Sequence, residues 1–141
     1  TCAAALLHEV FKKCNVTDGG ARITEKYGLS PEVFELVKLV SKPNKMSKDE
    51  YYEKLSRNPK ALLIKLSNRA NTCTTLNTYE PKEIDEYIEE CYKYIYPLCE
   101  YGVEHYPEFS HHINIMRSHI YQISNIVSFL THLEDKSKTS L

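Results

Sequence analysis

The sequence predicts an all-α protein, and three features lead to that class. Apolar residues recur at steps of three and four along most of the chain, no segment keeps the strict alternation of a half-buried strand, and no tight turn joins two β-branched runs. Proline, glycine and capping residues stand at the joints between these segments. At 141 residues the chain is long enough for one domain with a real core and short for two.

The elements follow in order. Residues 2–13 carry Ala5, Leu6, Val10 and Phe11 at helical spacing, and Asp18-Gly19-Gly20 signals a turn soon after. Residues 21–27 fit a short helix stopped by Gly28. Ser30-Pro31-Glu32 then offers an N-cap, a proline at the first helical position and early negative charge, with Val33, Leu36, Val37 and Val40 as one apolar face. Lys42-Pro43-Asn44 breaks that helix. Ser47 with Glu50 three residues on is a capping-box pattern, opening a helix from Lys48 to about Arg57. Asn58-Pro59 restarts the chain as the apolar run Ala61-Leu62-Leu63-Ile64-Lys65-Leu66, which with its continuation to Asn71 predicts a central, most buried helix.

Pro81 opens the next helix, whose seam Ile84, Ile88, Cys91, Ile95 and Leu98 alternates steps of four and three. Pro97 should kink or end it near Tyr96, and Gly102 and Pro107 complete the break. Ile113, Met116, Ile120, Ile123, Val127 and Leu130 repeat the alternation in the last helix, so residues 81–133 are expected to form an antiparallel helical hairpin. Residues 1–134 are read as one domain and residues 135–141 as a polar tail.

Eighteen Lys and Arg against nineteen Asp and Glu give a formal charge of -1, which provides no global field for nucleic acid. Five cysteines, Cys2, Cys14, Cys73, Cys91 and Cys99, form no C-x-x-C pair, and their odd number leaves one unpaired in any disulfide scheme, as suits a reducing cytoplasm. No run reaches the roughly 20 apolar residues of a membrane span, and the opening Thr1-Cys2-Ala3-Ala4-Ala5-Leu6-Leu7 lacks the basic flank of a signal peptide. A start without Met inside a helical pattern is what truncation or processing would leave. There is no Gly-rich phosphate loop and no G-x-S-x-G elbow.

Two stretches suggest chemistry. Ala3-Ala4-Ala5-Leu6-Leu7-His8-Glu9-Val10-Phe11-Lys12-Lys13 sets a histidine beside a carboxylate, and Leu63-Ile64-Lys65-Leu66-Ser67-Asn68-Arg69-Ala70-Asn71-Thr72-Cys73-Thr74-Thr75-Leu76 lies far downstream. In both, with the Tyr27–Val37 stretch between them, the first 80 or so residues resemble the HD-domain alarmone hydrolases of the RelA/SpoT type. The resemblance implies a helical HD-type bundle, a bound manganese ion and removal of the 3'-pyrophosphate of guanosine tetra- and pentaphosphate. It further implies metal ligation by His8, by Glu9 in place of an aspartate, and by Asn68 in place of another. Lys12 and Lys13 stand where the family carries a Glu-Asp pair, Arg69 is retained, and Thr72 replaces an asparagine near the nucleotide. A further family histidine belongs to a helix upstream of the first residue here.

Such a site needs nitrogen and carboxylate ligands for a divalent ion and an acidic pair to orient the attacking water. Here an amide replaces one carboxylate and two ammonium groups replace the acidic pair. The expected function is therefore a degenerate HD-type module that binds or responds to a nucleotide without catalysis, with Lys12, Lys13, Arg69 and Thr72 as the phosphate- and nucleotide-binding candidates and no resident cofactor. Manganese would return only if His8, Glu9 and Asn68 still hold it. One alternative is a working metal-dependent phosphohydrolase completed by Glu9, an upstream segment or another subunit. A second is a helical self-association module, a homodimer through the seams at 84–98 and 113–130.

Plainer readings stand beside these. His8 fits a hydrogen-bonded helix histidine, and Lys12-Lys13 a solvated face. His112 and His119 lie about 10 Å apart along a helix, too far to share one ion. Seven of the eleven tyrosines fall between Tyr79 and Tyr106; without a basic stripe they fit packing of the hairpin better than base stacking.

Overall fold

The computed structural model describes residues 28 and 30–139, with side chains through residue 133; every described element is a helix or a turn. The all-α class holds. The chain divides into two compact units, Thr1–Lys65 and Leu66–Leu141.

The described part of the first unit begins with Gly28 at φ 63°, the left-handed region that glycine enters without a Cβ penalty. The helix expected just before it lies outside the described residues. Helix α1, Pro31–Val40, starts where the cap pattern indicates: Ser30 Oγ accepts from the Val33 amide at 3.4 Å. Leu36, Val37 and Val40 are buried and Val33 is half-buried. Helix α2, Lys48–Ser56, starts at Ser47, whose Oγ accepts from the Glu50 amide at 3.1 Å. Its inner face, Tyr51, Tyr52 and Leu55, is buried, and the Tyr51 hydroxyl donates to the Val40 carbonyl at 2.6 Å, satisfying the end of α1 from inside the core. Helix α3, Pro59–Cys73, is capped by Asn58, whose Oδ1 accepts from the Ala61 amide at 3.1 Å. Ala61, Leu62, Ile64, Leu66 and Cys73 are buried along it, as its apolar run predicts. The division between the units falls within this helix.

In the second unit a 3-10 turn, Leu76–Thr78, leads to α4, Pro81–Glu90, where the Glu83 carboxylate accepts from the Glu80 amide at 3.1 Å. The expected break at Pro97 does not occur as a break. The helix instead widens into a π segment, Cys91–Ile95, and continues as α5, Tyr96–His105, with Pro97 in its first turn. Proline lacks an N–H and its ring presses on the carbonyl four residues back. A π turn opens the ladder just there, with the Tyr96 amide donating to Cys91 O. Of the expected seam, Ile84, Cys91, Ile95 and Leu98 are buried and Ile88 is only half-buried; Tyr87 and Cys99 join the buried face.

Gly102 is buried within α5 rather than part of the break, which comes at Tyr106 and the 3-10 turn Pro107–Phe109. Helix α6 then runs from Ser110 to Thr139, continuing past the point where the polar tail is expected to leave it. It packs against α4, α5 and both 3-10 turns. Ile113 and Ile120 are fully buried, Met116, Ile123 and Val127 half-buried, and Leu130 exposed. The buried Ser124 hydroxyl is satisfied within the helix, donating to Ile120 O at 2.6 Å. Arg117 reaches Glu100 at 3.4 Å, and His132 comes to 4.0 Å from Asp85. No helix among the described residues is long and apolar enough to cross a membrane.

Candidate functional site

The motif residues His8, Glu9, Lys12 and Lys13 lie outside the described residues, whereas Asn68, Arg69 and Thr72 sit on the second half of α3. Helical spacing brings Asn68 and Thr72 together: the Thr72 hydroxyl donates to the Asn68 carbonyl at 3.0 Å, and both side chains are half-buried.

Arg69 lies in the second unit and its side chain is used within it. Its Nη2 donates to the Tyr87 carbonyl at 2.8 Å, and the Tyr87 hydroxyl donates back to the Arg69 carbonyl at 2.8 Å. The guanidinium carbon stands 3.8 Å from the centre of the Tyr87 ring, a stacked cation–π contact. Glu90 lies 3.8 Å from Nη1; the two side chains are only 13% and 19% exposed, so solvent screens this pair far less than a surface pair. The Tyr87 carbonyl also accepts from the Cys91 amide at the start of the π segment. Arg69 thus adds a second, positively charged donor to a carbonyl at the junction where regular α geometry ends.

The surrounding thiols and the Tyr87 phenol are held in their neutral forms. Burial raises the Tyr87 hydroxyl well above its ordinary value, so it stays a donor. Burial likewise raises the Cys91 thiol, with the Arg69 guanidinium pulling the other way, and raises the Cys73 thiol, which donates to the Ala70 carbonyl at 3.0 Å. Cys99 is pushed up to about 12 by burial. For Arg69 itself burial opposes the charge, but Cys91, Glu90 and Tyr87 outweigh it and its pKa rises. A cluster of protonated thiols, a protonated phenol and a paired cation offers no activated nucleophile or general base. What it can do, within the second unit, is hold the C-terminal half of α3 against the α4–π junction. The Arg69 Nε is buried without a hydrogen-bond partner, the one such side-chain atom among the described residues.

Tyr87, Glu90 and Cys91 are the partners that motif reading missed. The only trace in the sequence is that Ile84, Tyr87 and Cys91 share a helical face; nothing in it says that Arg69, 18 residues earlier, turns toward that face. Of the other candidates, the tyrosines divide between packing and surface. Tyr87 and Tyr96 are buried, and Tyr96 meets Tyr92 and Tyr121 edge-on at 5.1 and 6.0 Å. The Tyr101 ring stacks on His105 at 3.8 Å. Among the described residues no three His, Cys, Asp or Glu side chains are grouped to hold one metal ion.

In the first unit a groove of about 560 Å³ lies between α1 and the start of α3, lined by Glu32, Glu35, Lys38 and Lys60 among others. Its charges neutralise one another: Lys38 pairs with Glu35 at 3.1 Å and Lys60 with Glu32. The Lys60 contact holds the Glu32 carboxyl below its usual range. Compared with known proteins, the chain matches no protein-family model, no curated protein and no solved structure.

Proposed function

We propose that this chain is a degenerate HD-type module that binds a guanine nucleotide, or a related phosphorylated nucleotide, and acts as a regulatory part rather than as a catalyst. The observation that carries the reading is the exchange of charge in the first motif. Lys12 and Lys13 stand where the resembling hydrolases place an acidic pair, and ammonium groups repel a divalent cation while attracting phosphate. In the second motif Asn68 offers a neutral amide where a carboxylate is expected. Arg69 supports the reading in a different way. To reach a phosphate it would have to leave both Tyr87 and Glu90, so in this reading it positions α3 while Lys12 and Lys13 meet the phosphates.

The test uses the full chain with guanosine tetraphosphate. Calorimetric titration is expected to show binding that persists in EDTA and weakens when Lys12→Glu and Lys13→Asp are combined. Incubation with Mn²⁺ is expected to release no pyrophosphate. Manganese-dependent pyrophosphate release would falsify the regulatory reading, and absence of nucleotide binding would remove the nucleotide from it.

A further inference from the structure

Helix α6 is apolar on two opposite sides. Ile113, Ile120 and Ser124 share the side buried against the rest of the second unit. At about 100° per residue, Ile115, Ile126, Phe129, Leu130 and Leu133 fall on the other side. These five are 55%, 56%, 65%, 52% and 47% exposed. His119 and Gln122 lie in the same stripe, both exposed. Tyr121 is also exposed but sits off the stripe, against Tyr96.

A helix face that meets only water normally carries charge. Residues 110–133 contain one formally charged side chain, Arg117, in a chain that is 26% Asp, Glu, Lys and Arg. Arg117 lies away from the stripe, facing Glu100. Over residues 110–133 the outer side of α6 is therefore an apolar strip without formal charge, a composition that suits a covered surface better than a solvated one.

Charge and area point to the same occupant. A partner with a charged recognition surface finds no complement on this strip. A two-fold interface brings one patch against itself, so a charged patch would face like charge and an uncharged one meets no such penalty. With roughly 200 Å² for a fully exposed large apolar side chain, Ile126, Phe129, Leu130 and Leu133, with the exposed Gln122 beside them, present on the order of 500 Å² per chain. Two copies together bury about 1,000 Å², the lower bound for a specific interface. We propose that the outer face of α6 is a homodimer interface, covered by the same face of a second copy about a two-fold axis close to Phe129. The apolar density is greatest over residues 126–133, about 12 Å of helix, so the two helices cross there and His119 and Gln122 fall at the polar rim. This face is distinct from the seam through Ile113 and Ile120, which is already buried within the chain. The inference stands apart from the nucleotide reading, since α6 carries none of the motif residues.

Sedimentation equilibrium of the full chain tests it. The expected result is a reversible monomer–dimer equilibrium, with Phe129→Ala raising the dimer Kd about tenfold or more. Phe129→Glu and Phe129→Lys are each expected to be monomeric with an unchanged helical circular-dichroism spectrum, and an equal mixture of the two to recover dimer. A wild-type chain that stays monomeric at every concentration overturns the proposal, including one that partitions onto phosphatidylcholine vesicles through these residues. Dimer that survives in both charged variants overturns the choice of face. Failure of the mixture to associate, or open-ended growth, overturns the two-fold pairing.

Discussion

Ile120 and Ile126 stand six residues apart on the same helix, yet Ile120 has no exposed surface while Ile126 keeps more than half of its own. Ile120 belongs to the interior of the second unit, where Ile95, Cys91 and Ile113 also have no exposed surface and Ser124 is satisfied inside its own helix. Around Ile126 lies an apolar strip that none of the described residues covers. The difference is that hydrophobicity sets which residues leave water, while geometry sets which of them this chain can shelter.

Substitutions on the two sides should separate accordingly. The largest effect belongs to the interior: Ile120→Ala removes buried methyl groups from a site with no exposure, and urea unfolding should show a loss of about 2–5 kcal/mol. An Ile120→Ala protein as stable as its parent would mean that α6 is not held by its inner face. Next comes Arg69→Met, which keeps an apolar stem over the Tyr87 ring but removes the donor to the Tyr87 carbonyl and the Arg69–Glu90 ion pair. A loss of about 1–3 kcal/mol is expected, together with faster amide exchange over Cys91–Ile95 if Arg69 steadies the π segment. Exchange confined to other helices would separate Arg69 from that segment. The smallest effect is on the outer side: Ile115→Ala, at a half-exposed position away from the Phe129 crossing, should change stability by no more than about 0.5 kcal/mol in dilute protein. A loss comparable to that of Ile120→Ala would show that the outer strip is already covered within one chain.

The helix starts were legible because their signals are local. Ser30, Ser47 and Pro81 act through their own φ angles and hydrogen bonds to amides three residues away, and each helix begins where these residues place it. The seam of α6 was legible only in part. A three-four alternation repeats every seven residues, whereas a straight helix returns after 3.6 per turn, so the seam drifts by about 20° per heptad. Ile113 and Ile120 remain inside, and by Leu130 the drift has carried the seam out to the exposed strip. Pro97 was legible as a disturbance but not in kind, because widening a turn and ending a helix answer the same steric demand. Of the candidate site, the residue types at 68, 69 and 72 were plain, but the partners of Arg69 were not.

By itself, the order of residues determined that this chain is helical, where its helices begin and which segments carry apolar faces. Each of these depends on interactions within about four positions along the chain. Tertiary structure alone decided that Arg69 binds a carbonyl and an aromatic face rather than standing free, that a π turn absorbs Pro97, and that one apolar side of α6 is sheltered while the other is left open. Those outcomes depend on which distant surfaces meet, and the periodicity of a single helix carries no record of what packs against it.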